Sequence, residues 1–205
     1  MSSIKEHRLG EVELCSMDKA REALHCLLHT ILFCRAPGAF KPETVYLNHF
    51  ELAYARVSGT SVRRSVERAV DALLAEGGLK PAGPELLKGA VVLSFFNRRQ
   101  NKALFGLVKN EEKCVWEQWM VPILIATTPL PTGDDETSVL ERQRADETAL
   151  NTLRAGLNEV HKLVNGPMDH IPDKMYEFEI ACASAQAREE RIKPSLFTPP
   201  TFSHF

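Results

Sequence analysis

The sequence predicts a mixed α/β (α+β) domain. Three segments repeat apolar residues at intervals of three and four, as a helix with one buried stripe requires, and the stretches between them alternate or run apolar as strands do. No apolar run approaches the roughly 20 residues needed to cross a bilayer, so no transmembrane segment is expected.

The first strand is predicted over Glu11 to Ser16, where Val12 and Leu14 fall on one face. Ser16 can cap the helix that follows. Asp18 sits in its first turn, and Ala20, Leu24, Leu27, Leu28, Ile31 and Leu32 form its stripe. Ala36, Pro37 and Gly38 stop it, because proline lacks a donor and glycine accepts a left-handed turn. Two β-like stretches rich in Val, Tyr, Leu and Phe come next, Glu43 to Phe50 and Glu51 to Ser58. A second helix is predicted from about Ser61 to Glu76, with Val62, Val66, Ala69, Val70, Leu73 and Leu74 turned inward and Gly77 and Gly78 as its stop.

Gly89 to Asn97 reads as a buried strand and Cys114 to Thr127 as another, two neighbours able to pair as a long hairpin. Trp116 and Trp119, three apart in that second strand, should point to opposite faces. Asp134 to Asn165 is the longest predicted helix, with Asp134, Asp135 and Glu136 at the end where the macrodipole favours carboxylates. A last strand, Lys174 to Ala181, sets Tyr176, Phe178 and Ile180 against Met175, Glu177 and Glu179. The organisation expected is one domain over residues 1–187. Residues 188–205, where Pro194, Pro199 and Pro200 are interspersed with Phe197, Phe202 and Phe205, are expected to be a mobile tail or a short linear motif.

Composition narrows the function. The 205 residues are 44% hydrophobic and 25% charged, an ordinary globular balance, and the net charge of -2 is the wrong sign for a nucleic-acid binder. Five cysteines without a CxxC pair fit free thiols in a reducing compartment, and the polar start Met1 to Gly10 has no signal-peptide core. A cytoplasmic protein is expected. His25 and His29 have the i, i+4 spacing of a helical metal pair, but Cys26 stands where the zincin motif has its glutamate, so neither a metal nor another cofactor is expected. Phosphate-binding loops, dinucleotide fingerprints and nucleophile elbows are absent, which points to a non-enzymatic binding protein. An enzyme assembled from dispersed residues would leave no such motif and stays open.

Between the two hairpin strands, Asn97 to Lys113 carries an apolar cluster, Ala103 to Val108, flanked by basic and acidic residues. Leu104 and Phe105 either fold back onto the sheet or form a hydrophobic finger for a partner. Phe33 and Cys34 project away from the stripe of the first helix. With Arg35 and Phe40 they make a candidate partner surface.

Three stretches in this order and spacing resemble the autophagy-related protein 101 family of the HORMA-domain superfamily. They are Leu28 to Arg35 with Gly38 and Phe40; Tyr54, Ala55, Arg56, Val57 and Ser58 ahead of a helix; and Val115, Trp116, Glu117, Gln118 and Trp119. The resemblance spans roughly Glu11 to Ala181. It implies a HORMA fold, an antiparallel sheet with three long helices packed on it, and an adaptor that pairs with the HORMA domain of autophagy-related protein 13. That pair belongs to the autophagy-initiating protein kinase complex at the preautophagosomal structure. The resemblance also implies a protruding finger, tipped in the family by a Trp and a Phe, that recruits downstream autophagy factors. Here the tip falls on Ala103, Leu104 and Phe105; Phe105 matches and Ala103 stands at the place of the Trp. A HORMA protein of checkpoint or repair type, closing a mobile C-terminal segment over a partner peptide, is the alternative within this superfamily.

Overall fold

The computed structural model describes residues 4–38, 41–102 and 109–183. Eleven elements are defined there. They are β1 (Lys5–Arg8), β2 (Val12–Leu14), α1 (Met17–Cys34), β3 (Pro42–Tyr46), β4 (Ala53–Val57), α2 (Thr60–Leu74), β5 (Lys80–Gly83), β6 (Leu86–Lys102), β7 (Lys109–Ala126), α3 (Glu136–Val164) and β8 (Glu177–Cys182). The three helices and the mostly antiparallel sheet are those expected.

The helix ends obey local chemistry. The Ser16 side chain accepts the Lys19 amide at the start of α1, and Asp135 does the same for Ser138 at the start of α3. Ser16 is therefore a cap rather than the last residue of a strand. After α1 the chain turns through Gly38 at φ +98°, a conformation that side chains with a Cβ avoid.

β6 and β7 form the hairpin at the centre of a six-stranded sheet. Along the free side of β7 lie β1 and β2, one after the other and both parallel to it; along the free side of β6 lie β5 and β8, both antiparallel. β3 and β4 make a separate two-stranded sheet against α1. One core fills the space between the main sheet and the helices. α1 runs through it, burying Ala20, Ala23, Leu24, Leu27, Leu28, Ile31 and Leu32 between α2, α3, β4 and β7. α3 comes so close to α1 at Gly156 that a Cβ there would stand 3.3 Å from Leu27 Cδ2.

Three expectations change. Strands β1 and β5 were not anticipated. The hairpin is longer than expected, since Asn97–Lys102 and Lys109–Lys113 belong to the ladder, which runs to the pair Lys102 and Lys109. What remains between the strands is residues 103–108, outside the described residues, as are Phe40 and the expected tail. Finally, Trp116 and Trp119 do not point to opposite faces. Phe95 pairs with Glu117 but Phe96 with Val115, so the register shifts beside Trp116. The extra residue resets the alternation, and both indoles join the same core.

Candidate functional site

The most concentrated chemistry lies where α1, β1, β7 and the segment before β8 meet. Glu117 on β7 is fully buried, and Arg35, which caps the C-terminal end of α1, is 3% exposed. Arg35 Nε donates to both carboxylate oxygens, at 3.0 and 3.1 Å. The Trp119 indole N–H donates to Oε1, and His170 Nε2 lies 2.6 Å from Oε2. His7, on β1, lies against Trp119 with tilted rings whose centroids are 4.2 Å apart; its Nε2 stands 4.0 Å from Oε2, beyond hydrogen-bond reach, and has no hydrogen-bond partner among the described residues.

The surrounding contacts hold the C-terminal segment in place. The Tyr176 hydroxyl donates to the Arg35 carbonyl, and Trp116 meets the Tyr176 ring edge-on at 4.9 Å and the His170 ring at 5.8 Å. The end of α1 and the segment before β8, remote in sequence, are thus both tied to one carboxylate on β7.

Electrostatics follow from the geometry. Burial pushes the Glu117 carboxyl up, but hydrogen bonds from Arg35 and His170, the Arg35 charge and the Trp119 bond outweigh it and hold the group below the usual carboxylate range. His7 is lowered, chiefly by burial and against the pull of Glu117. The Tyr176 phenol is pushed up to about 12 by burial. An isolated buried charge would be prohibitive, so the guanidinium and carboxylate are sustainable only as a pair. Buried together, the two side chains are placed to hold segments of the chain to one another.

Sequence reasoning expected no metal-ligand set, yet His7, Glu117 and His170 bring one ligand atom each within 4.8 Å of one another. Local spacing could not reveal a set spread over three elements. The expected pair, His25 and His29, does face one side of α1, with ring centroids 6.1 Å apart. His29 is 1% exposed and stacks on Tyr54 of β4; neither ring nitrogen has a hydrogen-bond partner among the described residues. Desolvation, with smaller contributions from His25, Arg56 and Arg63, lowers its pKa to about 3.

Of the expected partner surface, Phe33 and Cys34 are half-buried at the end of α1. Arg35 is turned inward to Glu117, so its side chain is core and not contact surface. Phe40 and the finger residues Ala103, Leu104 and Phe105 lie outside the described residues. The base of the hairpin arm is described. Phe96 is 1% exposed beneath two cations, Lys113 at 4.2 Å and Arg98 at 5.9 Å from its ring centroid. Arg98 pairs with Glu177 and Lys113 with Glu179, so both cations tie the arm to β8.

Comparison with known proteins agrees with this architecture. The family model described as Autophagy-related protein 101 matches residues 14–177, from the end of β2 to the start of β8, and so takes in all three helices and the central hairpin. The curated autophagy-related protein 101 of Arabidopsis thaliana is 28% identical over 194 residues, covering 87% of this chain and 86% of that protein. With four-fifths of its length inside the family match, and its helices, hairpin and buried network within or beside that span, the chain belongs to the autophagy-related protein 101 family.

Proposed function

We propose that this protein is a non-catalytic HORMA adaptor of the autophagy-initiating kinase complex, acting in the cytoplasm and at the preautophagosomal structure. Family membership carries the autophagy role. In the proposed mechanism the folded body pairs with and stabilises the HORMA domain of autophagy-related protein 13, with Phe33, Cys34 and Phe40 on the contact face. The finger Ala103, Leu104 and Phe105 recruits downstream autophagy factors.

The shape of the central hairpin supports the second half. β8 pairs with β6 only as far as Phe96, and β1 pairs with β7 only from Glu117 onward. Beyond those points the two strands continue together to Lys102 and Lys109. An arm that outruns the rest of its sheet offers a partner a site apart from the folded body, which is what the finger reading requires. The checkpoint-type alternative requires the C-terminal segment to detach. His170, Tyr176 and β8 are bound to Glu117, Arg35 and β6, and that anchoring weighs against it.

Calorimetric titration with the HORMA domain of autophagy-related protein 13 tests the pairing. Saturable one-to-one binding, weakened by Phe33→Ser with Phe40→Ser at unchanged circular dichroism, is expected. No heat of binding with the wild-type protein rejects the pairing, and unchanged affinity in the double variant rejects the contact face.

A further inference from the structure

The grouping of His7, Glu117 and His170 has the composition of a metal site, and an adaptor role does not call for one. The three residues arrive from β1, from β7 and from the segment before β8, and their ligand atoms converge within 4.8 Å. Oε1 of Glu117 takes the Trp119 indole and the shorter Arg35 contact; Oε2, also 3.1 Å from Arg35 Nε, is the oxygen that faces both imidazoles. Outer partners of this kind fix the orientation of a ligating carboxylate.

A second observation concerns His7 itself. Its side chain is 5% exposed, its ring is held against Trp119, and its buried Nε2 has no hydrogen-bond partner among the described residues although it stands at the edge of the cluster. A buried polar nitrogen left unsatisfied is unfavourable, and a ligand shared with Glu117 would satisfy it.

We propose that His7 Nε2, Glu117 Oε2 and His170 Nε2 form a three-ligand site for a divalent transition-metal ion, Zn²⁺ foremost, with a fourth position open to water. Two imidazoles and one carboxylate are a borderline donor set that suits zinc. With bonds of about 2.0–2.1 Å, tetrahedral ligand atoms stand roughly 3.3 Å apart. The 4.0 Å separation of His7 from Oε2 must therefore close, and the 2.6 Å separation of His170 must open, each by less than about an ångström. The His170 ring, with 20% of its side chain exposed, gives the ion a way in. The Arg35 guanidinium opposes a second cation, so binding is weaker than at structural zinc sites with several thiolates, and remains within the range of calorimetry. A bound ion would pin β1 and the segment before β8 to β7.

The test uses the full chain dialysed against a chelator, with Zn²⁺ titrated by calorimetry and Co²⁺ followed by its visible absorption. One ion per chain, intense tetrahedral cobalt bands, and at least tenfold weaker binding by His7→Ala and by His170→Ala are expected. Absence of binding to the wild-type protein overturns the proposal. So does binding that both variants retain, since the ion then sits on other histidines or thiols. Should His7→Ala fail to fold, His170→Ala, at the more exposed ligand, decides by the same criterion.

Discussion

Arg35 and Glu117, 82 residues apart in sequence, meet inside the protein with the guanidinium Nε shared between both carboxylate oxygens. Removing one member of such a pair strands the other as an uncompensated buried charge, which typically costs about 3–5 kcal/mol. Arg35→Met and Glu117→Gln are each expected to destabilise on that scale in urea unfolding. The double variant is expected to fall short of the sum of the singles by at least about 1 kcal/mol, as contacting residues do. Strict additivity would mean that the pair is not coupled.

Acid should loosen the contact between α1 and β4. Burial lowers the His29 pKa to about 3 from the ordinary 6.5, so between those values the unfolded chain holds the proton and the folded chain does not. Its contribution to stability is complete above pH 6.5 and is lost as the pH falls toward 3, on the order of 2 kcal/mol of it by pH 5. His7 and His25 shift in the same direction, and Glu117 adds its own loss only below its ordinary value of 4.5. His29→Leu isolates the one group. It should match or exceed wild-type stability at pH 7, because two unpartnered nitrogens are gone, and should lose less between pH 7 and pH 5. Equal losses would show that His29 is not the acid-sensitive group.

The α1–α3 contact leaves no room at Gly156. Alanine gains about 1 kcal/mol of helix propensity and meets Leu27 at 3.3 Å, so Gly156→Ala is expected within about 1 kcal/mol of wild type. Gly156→Val adds bulk that Leu27 and Val12 cannot both yield to, and should destabilise by roughly 1–3 kcal/mol. Melting temperatures of the two variants check the contrast; a Val variant as stable as the Ala variant would show that the packing relaxes freely.

Truncating the proposed finger tests whether it is surface or core. Leu104→Ala with Phe105→Ala is expected to shift stability by no more than about 0.5 kcal/mol per site, against about 3–5 kcal/mol for a buried Phe. Binding to the partner HORMA domain should persist while recruitment of downstream autophagy proteins falls in cells. Early melting of the double variant would reassign these residues to the core.

Much of this fold is legible because helices announce themselves by period, and the capping residues Ser16 and Asp135 stand where chemistry wants them. β1 and β5 are not legible. Their sequences, Lys5 to Arg8 and Lys80 to Gly83, contain no apolar alternation, and they are strands because a neighbour offers a ladder. The buried network was half legible. Arg35 follows Leu28 by seven residues and Ile31 by four, which places it on the inward stripe, and Glu117 shares its phase with Trp119, Val121, Ile123 and Ile125. Charge argued for the surface and phase for the interior, and phase prevailed because the two charges satisfy each other. His7 and His170 carried no comparable signal, since their place depends on β1 and on the approach to β8.

The parallel pairing of β1 with β7 sets an order of events during synthesis. Lys5 leaves the ribosome early but finds its place only when Glu117 has followed. At about 5–20 residues per second that interval is several seconds or longer. α1 and α2 can form by then, whereas the first strand has no edge to join until the hairpin closes. Its row of unpaired backbone donors and acceptors is open meanwhile to chaperones or to other nascent chains, and completion of β7 ends that exposure.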